Sequence, residues 1–190
     1  GKTESRTVSN NGNYIYIESD FGYITVTDSD GLDRKFLTDY IIFHRPSEHQ
    51  FNGHSSQMEL QIYHTVSDSD YTVDFPKRAV VSVMIRPGDF SYFFDAIEVD
   101  NLPSTMMSNV LPSNSNVNLL GIVDPSDDYF MYSGSLTMPD CEENVLWYIF
   151  ETEQGVSFEQ MNYFNDTWSG NPAFKNGNVR SLQSRNGRTI

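Results

Sequence analysis

The chain has one cysteine, Cys141, among 190 residues, so it cannot close an internal disulfide. It is poor in cations, with 12 Lys and Arg against 26 Asp and Glu and a formal net charge of −14. That balance argues against a surface built to grip nucleic-acid phosphates or an anionic membrane. No apolar run reaches the roughly 18 residues that a membrane-crossing helix needs. The first residues, Gly-Lys-Thr-Glu-Ser-Arg, are polar, so no signal peptide is expected within the chain. No internal repeat and no low-complexity linker is visible, and the length suits one domain over 1–190 with a sizeable core. No Gly-x-Ser-x-Gly elbow occurs, and Cys141 has no histidine near it in sequence, so a conventional nucleophilic hydrolase is unsupported.

What the chain does have is short β-rich runs. Residues 14–18 and 23–27 read as strands, with 19–22 between them as a hairpin loop. An acidic loop follows at 28–33. Its Asp-x-Asp-Gly spacing resembles a calcium loop, but Leu37 stands where the bidentate Glu is needed. Residues 79–86 are almost continuously apolar, the mark of a buried central strand ended by Pro87-Gly88. Residues 91–98 read as a short helix behind Ser91. Residues 106–118 read as irregular, and 117–123 and 145–150 as strands. Ser157 and Gln160 form a capping box opening a helix to about Phe164. From Asn176 the tail is basic, with Arg180, Arg185 and Arg188.

All four histidines, His44, His49, His54 and His64, fall within residues 39–64. Side chains alternate faces along a strand, so Ile42 and His44 share one face, as do Glu59 and Gln61. If the two runs pair, those four converge on one small volume. His64 then points the opposite way, and His54 falls in an exposed loop. No three of the histidines share a face, so they build no alternative metal site.

Several blocks together carry a resemblance. Phe43-His44-Arg45-Pro46-Ser47-Glu48-His49, Asn52-Gly53 and Met58-Glu59-Leu60-Gln61-Ile62-Tyr63-His64 resemble the zinc-binding core of α-class carbonic anhydrases. Asn10-Asn11-Gly12-Asn13, the block from Tyr129 to Trp147 with Gly134-Ser135-Leu136-Thr137, and Asn178-x-Arg180-x-x-Gln183-x-x-Asn186-x-Arg188 agree with the family in order. The resemblance implies a mainly β (α+β) fold. It has a large, twisted, mostly antiparallel central sheet with short peripheral helices and a site cone open on one face. The family's N-terminal segment is missing from the chain. With it goes the cysteine that secreted relatives pair at the Cys141 position, which leaves either a fragment or a free buried thiol.

The same resemblance implies a dismantled metal centre. Three histidines hold the family's zinc, and the matching positions are Ile42, His44 and Gln61. A carboxamide is a poor zinc ligand and an isoleucine is none, so no metal and no cofactor is expected. Glu59 matches the carboxylate that orients the third histidine and could hydrogen-bond Gln61 instead. Asn13 matches the proton shuttle and cannot exchange a proton near neutral pH. Thr137 and Glu48 match the pair that orients a zinc-bound hydroxide and are expected here as a structural pair. The expected chain is therefore not an enzyme but a structural or protein-binding module, a subunit of a larger assembly, its acidic and aromatic surface suited to protein contacts. Two alternatives stand. One is an active zinc enzyme of CO₂ hydration with a rearranged ligand set. The other is an acidic matrix protein binding calcium through Asp28, Asp30, Asp33, Asp68 and Asp70. The family's settings imply a secreted location, with an organellar complex as the alternative.

Overall fold

A computed structural model of the chain describes residues 6–169, 171 and 177–188. The polar start at 1–5 and Asn176, the expected beginning of the basic tail, lie outside the described residues. The strands in chain order are β1 (Thr7–Asn10), β2 (Ile15–Glu18), β3 (Tyr23–Thr27), β4 (Asp33–His44), β5 (Gln50–Phe51), β6 (His54–Ser55), β7 (Met58–Val66), β8 (Arg78–Pro87), β9 (Met107–Val110), β10 (Tyr129–Ser135), β11 (Glu143–Phe150) and β12 (Gln154–Val156). Two helices join them, α1 (Tyr92–Ala96) and α2 (Phe158–Ser169).

Ten strands form one sheet in the order β10-β11-β8-β7-β4-β2-β1-β9, with β12 added to β8 and β3 to β4. Pairing is antiparallel except where β11 and β12 run parallel to β8. The expected mainly β architecture is therefore present. β8 is buried from Ala79 to Ile85 because strands flank it and both its faces are covered, which is why its sequence is apolar there except at Ser82. β12 reaches it through a close backbone approach. A Cβ on Gly88 would stand 2.7 Å from the Gly155 Cα, so only glycine fits there.

The two faces of the sheet differ. One carries Ile41, Phe43, Leu60, Ile62, Val81 and Val83, packed under α1 and α2 through Phe94, Phe164 and Trp168. The other carries Ile42, Tyr63, Val80, Met84, Val145 and Trp147, with Tyr14, Tyr40 and Tyr132 against them. The second face holds the residues of the expected site.

Several sequence expectations need correction. β2 and β3 are not a hairpin. Both pair antiparallel with β4, β2 against 40–43 and β3 against 33–37, so 19–22 interrupts one line of pairing instead of turning it. The hairpin turn lies between β3 and β4 at the acidic loop. The segment 117–123 is no strand. Asn118 caps a 3-10 turn at Leu119–Gly121 by accepting from the Leu120 N–H, a local bond that outcompetes its strand-like composition. Conversely, β9 forms inside the segment read as irregular, because β1 offers it a free edge. α2 runs to Ser169, beyond the expected end at Phe164.

Half of the capping box is present, with Gln160 N–H donating to Ser157 Oγ at 3.2 Å, while the Gln160 side chain meets the Ser157 hydroxyl and not its backbone N–H. The buried Gln160 side chain also pins the entry to α1, accepting from Ser91 N–H at 2.9 Å and donating to Ser91 O at 2.8 Å. Gln160→Ala leaves both Ser91 backbone groups without that partner. It should cost about 2 kcal/mol of unfolding free energy in urea denaturation, with the m-value unchanged.

Candidate functional site

The register of β4 against β7 sets the site. Ile42 lies opposite Gln61 and His44 opposite Glu59, so the four residues converge on one face as the strand alternation requires. His64 and Ile62 face the other way and line a groove on the opposite side of the sheet. His54 is exposed, as expected, but stands in the two-residue strand β6 paired with β5 and not in a loop.

Glu59 is the centre of the polar interior. It is fully buried. Its Oε2 accepts from the Glu48 and His49 N–H groups at 2.7 and 2.9 Å. Its Oε1 meets His49 Nδ1 at 2.8 Å, Gln61 Nε2 at 2.7 Å and Ser82 Oγ at 2.7 Å. Burial alone would raise its pKa, but the His49 charge and hydrogen bonds outweigh burial and hold it at about 2. His49 is likewise pushed down by burial and, more strongly, up by Glu59, so its pKa is raised. Its Nε2 bonds the Tyr132 hydroxyl at 2.7 Å.

Gln61 is fully buried and fully engaged. Nε2 donates to Glu48 Oε2 at 2.9 Å and to Glu59 Oε1, while Oε1 accepts from the Tyr63 hydroxyl at 2.6 Å. Glu48 also accepts from the Arg180 N–H at 2.8 Å through Oε1.

His44 is fully buried, with Tyr14 edge-on at 5.6 Å between ring centroids. Its Nδ1 lies 2.9 Å from the Asn178 carbonyl oxygen. A carbonyl only accepts, so Nδ1 carries a proton and donates it there. Nε2 has no hydrogen-bond partner and faces Glu48 Oε2 at 3.6 Å.

The expected Thr137–Glu48 pair is not formed. Glu48 takes its donors from Gln61 and Arg180, and Thr137 Oγ1, beside the Tyr63 hydroxyl, makes no hydrogen bond of normal geometry. Asn13 is exposed and contributes its carbonyl to Asn178 Nδ2 at 3.3 Å. Cys141 is half-exposed and unpaired, not the buried thiol expected.

Asn178 had no role in the sequence reading, yet it stitches the tail to β4. Its Oδ1 accepts from the Arg45 N–H, its Nδ2 donates to Phe43 O, and its carbonyl fixes the His44 tautomer. Gly177 permits this with φ +86, where a Cβ would lie 2.1 Å from Arg45 O. Gly177-Asn178 could have signalled it only as a tight turn, since the contact spans 134 residues.

The residues present do not fit a zinc ion held by three imidazoles. One imidazole remains, Ile42 offers no lone pair, and the Gln61 oxygen is turned to Tyr63. Among the described residues no three His, Cys, Asp or Glu side chains group to hold a metal, so none supplies a rearranged set. The acidic loops are engaged too. Asp28 Oδ1 accepts from the Asp30 and Leu32 N–H groups and Oδ2 pairs with Arg34, while Asp70 Oδ2 accepts from the Lys35 N–H.

Comparison with known proteins places this geometry. The profile of the eukaryotic-type carbonic anhydrase family matches residues 1–190, and the chain belongs to that family. Carbonic anhydrase Nec1 of Nesocodon mauritianus is 30% identical over 197 residues, covering 100% of the chain and 65% of that protein. Dioscorin dioA3 of Dioscorea japonica is 32% identical over 156 residues, 79% of the chain and 52% of that protein. The chain thus spans less than two thirds of the length of these relatives. A hyperthermostable carbonic anhydrase identified from an active hydrothermal vent chimney superposes with TM-score 0.79 and 29% identity, covering 100% of the chain and 76% of that structure. The expectation that the chain is not an enzyme is overturned here. A family match over the whole chain and relatives named as carbonic anhydrases point to an enzyme.

Glu59 makes the stability acid-sensitive in a defined window. Its folded pKa of about 2 lies below the ordinary 4.5, so its contribution is present above pH 4.5 and is lost as pH falls through 2. The loss should approach about 3 kcal/mol. Chemical denaturation between pH 5 and 2 should show that slope, and Glu59→Gln should flatten it.

Proposed function

We propose that this carbonic anhydrase-family chain acts as a protein-binding subunit of a larger assembly, and that turnover at the site around Gln61 does not pass through a three-imidazole zinc. The observation that carries the second part is Gln61, buried with its amide on two carboxylates and its oxygen on Tyr63. The ionisable side chains gathered round Gln61 are His44, Glu48, Glu59 and His49, and catalysis of the kind the relatives' names point to has those side chains to draw on. The first part is supported by the surface. A net charge of −14 is combined with exposed Tyr23, Tyr92 and Tyr129, a mixture of charge and aromatic area suited to protein contacts.

Two measurements test the two parts. The chain isolated from its native cells under mild conditions should run well above 21.7 kDa, with a partner that rebinds the purified chain at fixed stoichiometry. Recovery at the monomer mass alone removes the subunit reading. The CO₂ hydration rate of the purified chain should be the same before and after treatment with a strong zinc chelator. A rate that falls on chelation and returns with zinc removes the second part.

A further inference from the structure

The zinc position in this chain is closed as well as short of ligands. We infer that the Gln61 carboxamide acts as a lock. It spends every hydrogen-bonding atom on the cone's own polar groups and thereby denies the position to a divalent cation, even where other ligands are supplied. The inference rests on the reading above that the cone works without zinc, and it assigns the reason to one side chain.

Gln61 Nε2 has two protons, and both are used, on Glu48 Oε2 at 2.9 Å and Glu59 Oε1 at 2.7 Å. Its single acceptor, Oε1, takes the Tyr63 proton at 2.6 Å. That oxygen keeps a second lone pair, but the carboxamide is planar, so turning Oε1 from Tyr63 towards a cation also pulls Nε2 away from both buried carboxylates. Hydrogen bonds to charged acceptors in a buried site are the costlier ones to give up. A weak neutral ligand does not recover that.

Around the lock the frame for ligation persists. Ile42 stands directly across from Gln61 in the register, and His44 lies two residues along the same face. His44 Nδ1 is already committed to the Asn178 carbonyl, which leaves Nε2, without a hydrogen-bond partner, as the nitrogen turned to the site. Glu59 Oε1 already accepts from the side chain at position 61. Acceptors of this kind behind the imidazoles are what orient metal-binding histidines and fix their tautomers.

The lock is separable from the missing ligands. Cobalt(II) is the probe, followed in the purified chain by the visible absorption of the tetrahedral ion and by equilibrium dialysis. Wild type should hold well below one equivalent. Ile42→His adds a second imidazole but leaves the lock, and should bind little better. Ile42→His with Gln61→Ala removes the lock while adding no ligand, and should bind cobalt about tenfold tighter than Ile42→His alone, within the range seen for changes behind metal ligands. Ile42→His with Gln61→His should bind one equivalent. If Gln61→Ala does not fold, Gln61→Leu keeps the volume and takes its place in the same comparison. Equal or weaker binding on removal of Gln61 overturns the lock. So does a full equivalent on wild type that His44→Ala abolishes. The titration reads the isolated chain, so its failure leaves the subunit reading standing, and loss of the assembly leaves the titration standing.

Discussion

A carboxylate with no access to water has to be met by donors, and Glu59 is met by five. Two backbone N–H groups, His49, Gln61 and Ser82 surround it on β7, β8 and the segment after β4. An ion buried without them costs several kcal/mol. The donors therefore fix where β4, β7 and β8 stand relative to one another on this face. Tyr132 reaches the same cluster through His49, so β10, at the end of the sheet, is tied to its middle by one imidazole.

The second carboxylate depends on the first. Glu48 lies close to Glu59, and the Gln61 amide bridges the two with one proton each. Two buried carboxylates side by side repel unless something positive or proton-bearing lies between them. In this chain a neutral carboxamide does that work. Arg180 adds its backbone N–H to Glu48 and its side chain to Ser135 and Leu136 O. The tail thus closes over the site, and Asn178 presses the His44 ring into one tautomer on the way.

Much of this was legible in the sequence, for a physical reason. Strand period two places Ile42, His44, Glu59 and Gln61 on one face whatever the rest of the chain does, and the β4–β7 register then makes them neighbours. The bonding of Gln61 to Glu59 follows from the same spacing. What was not legible depends on contacts far apart in sequence. Asn178 meets β4 across 134 residues, and no local pattern announces it. Where Thr137 was expected, Glu48 has the Gln61 amide on one oxygen and the Arg180 N–H, from a distant part of the chain, on the other. Elements such as β9 and the turn at 119–121 were misjudged where a partner edge or a single Asn side chain decided between near-equal local preferences.

Lineage and donor atoms answer different questions here. Identity of about 30% to named carbonic anhydrases, spread over the whole chain, speaks for a shared backbone and for an enzyme family. It does so because the register, the two cores and the tail contacts are what such similarity preserves. A metal is held by a few lone pairs, and one strand face can lose them while every core contact stays. On that face Tyr63, Val80, Met84, Val145 and Trp147 form a hydrophobic cluster of their own beside the polar residues. The fold can therefore carry the family's signature while the Gln61 oxygen faces a tyrosine. The chemistry at the cone has to be argued from that hydrogen bond and not from the family name.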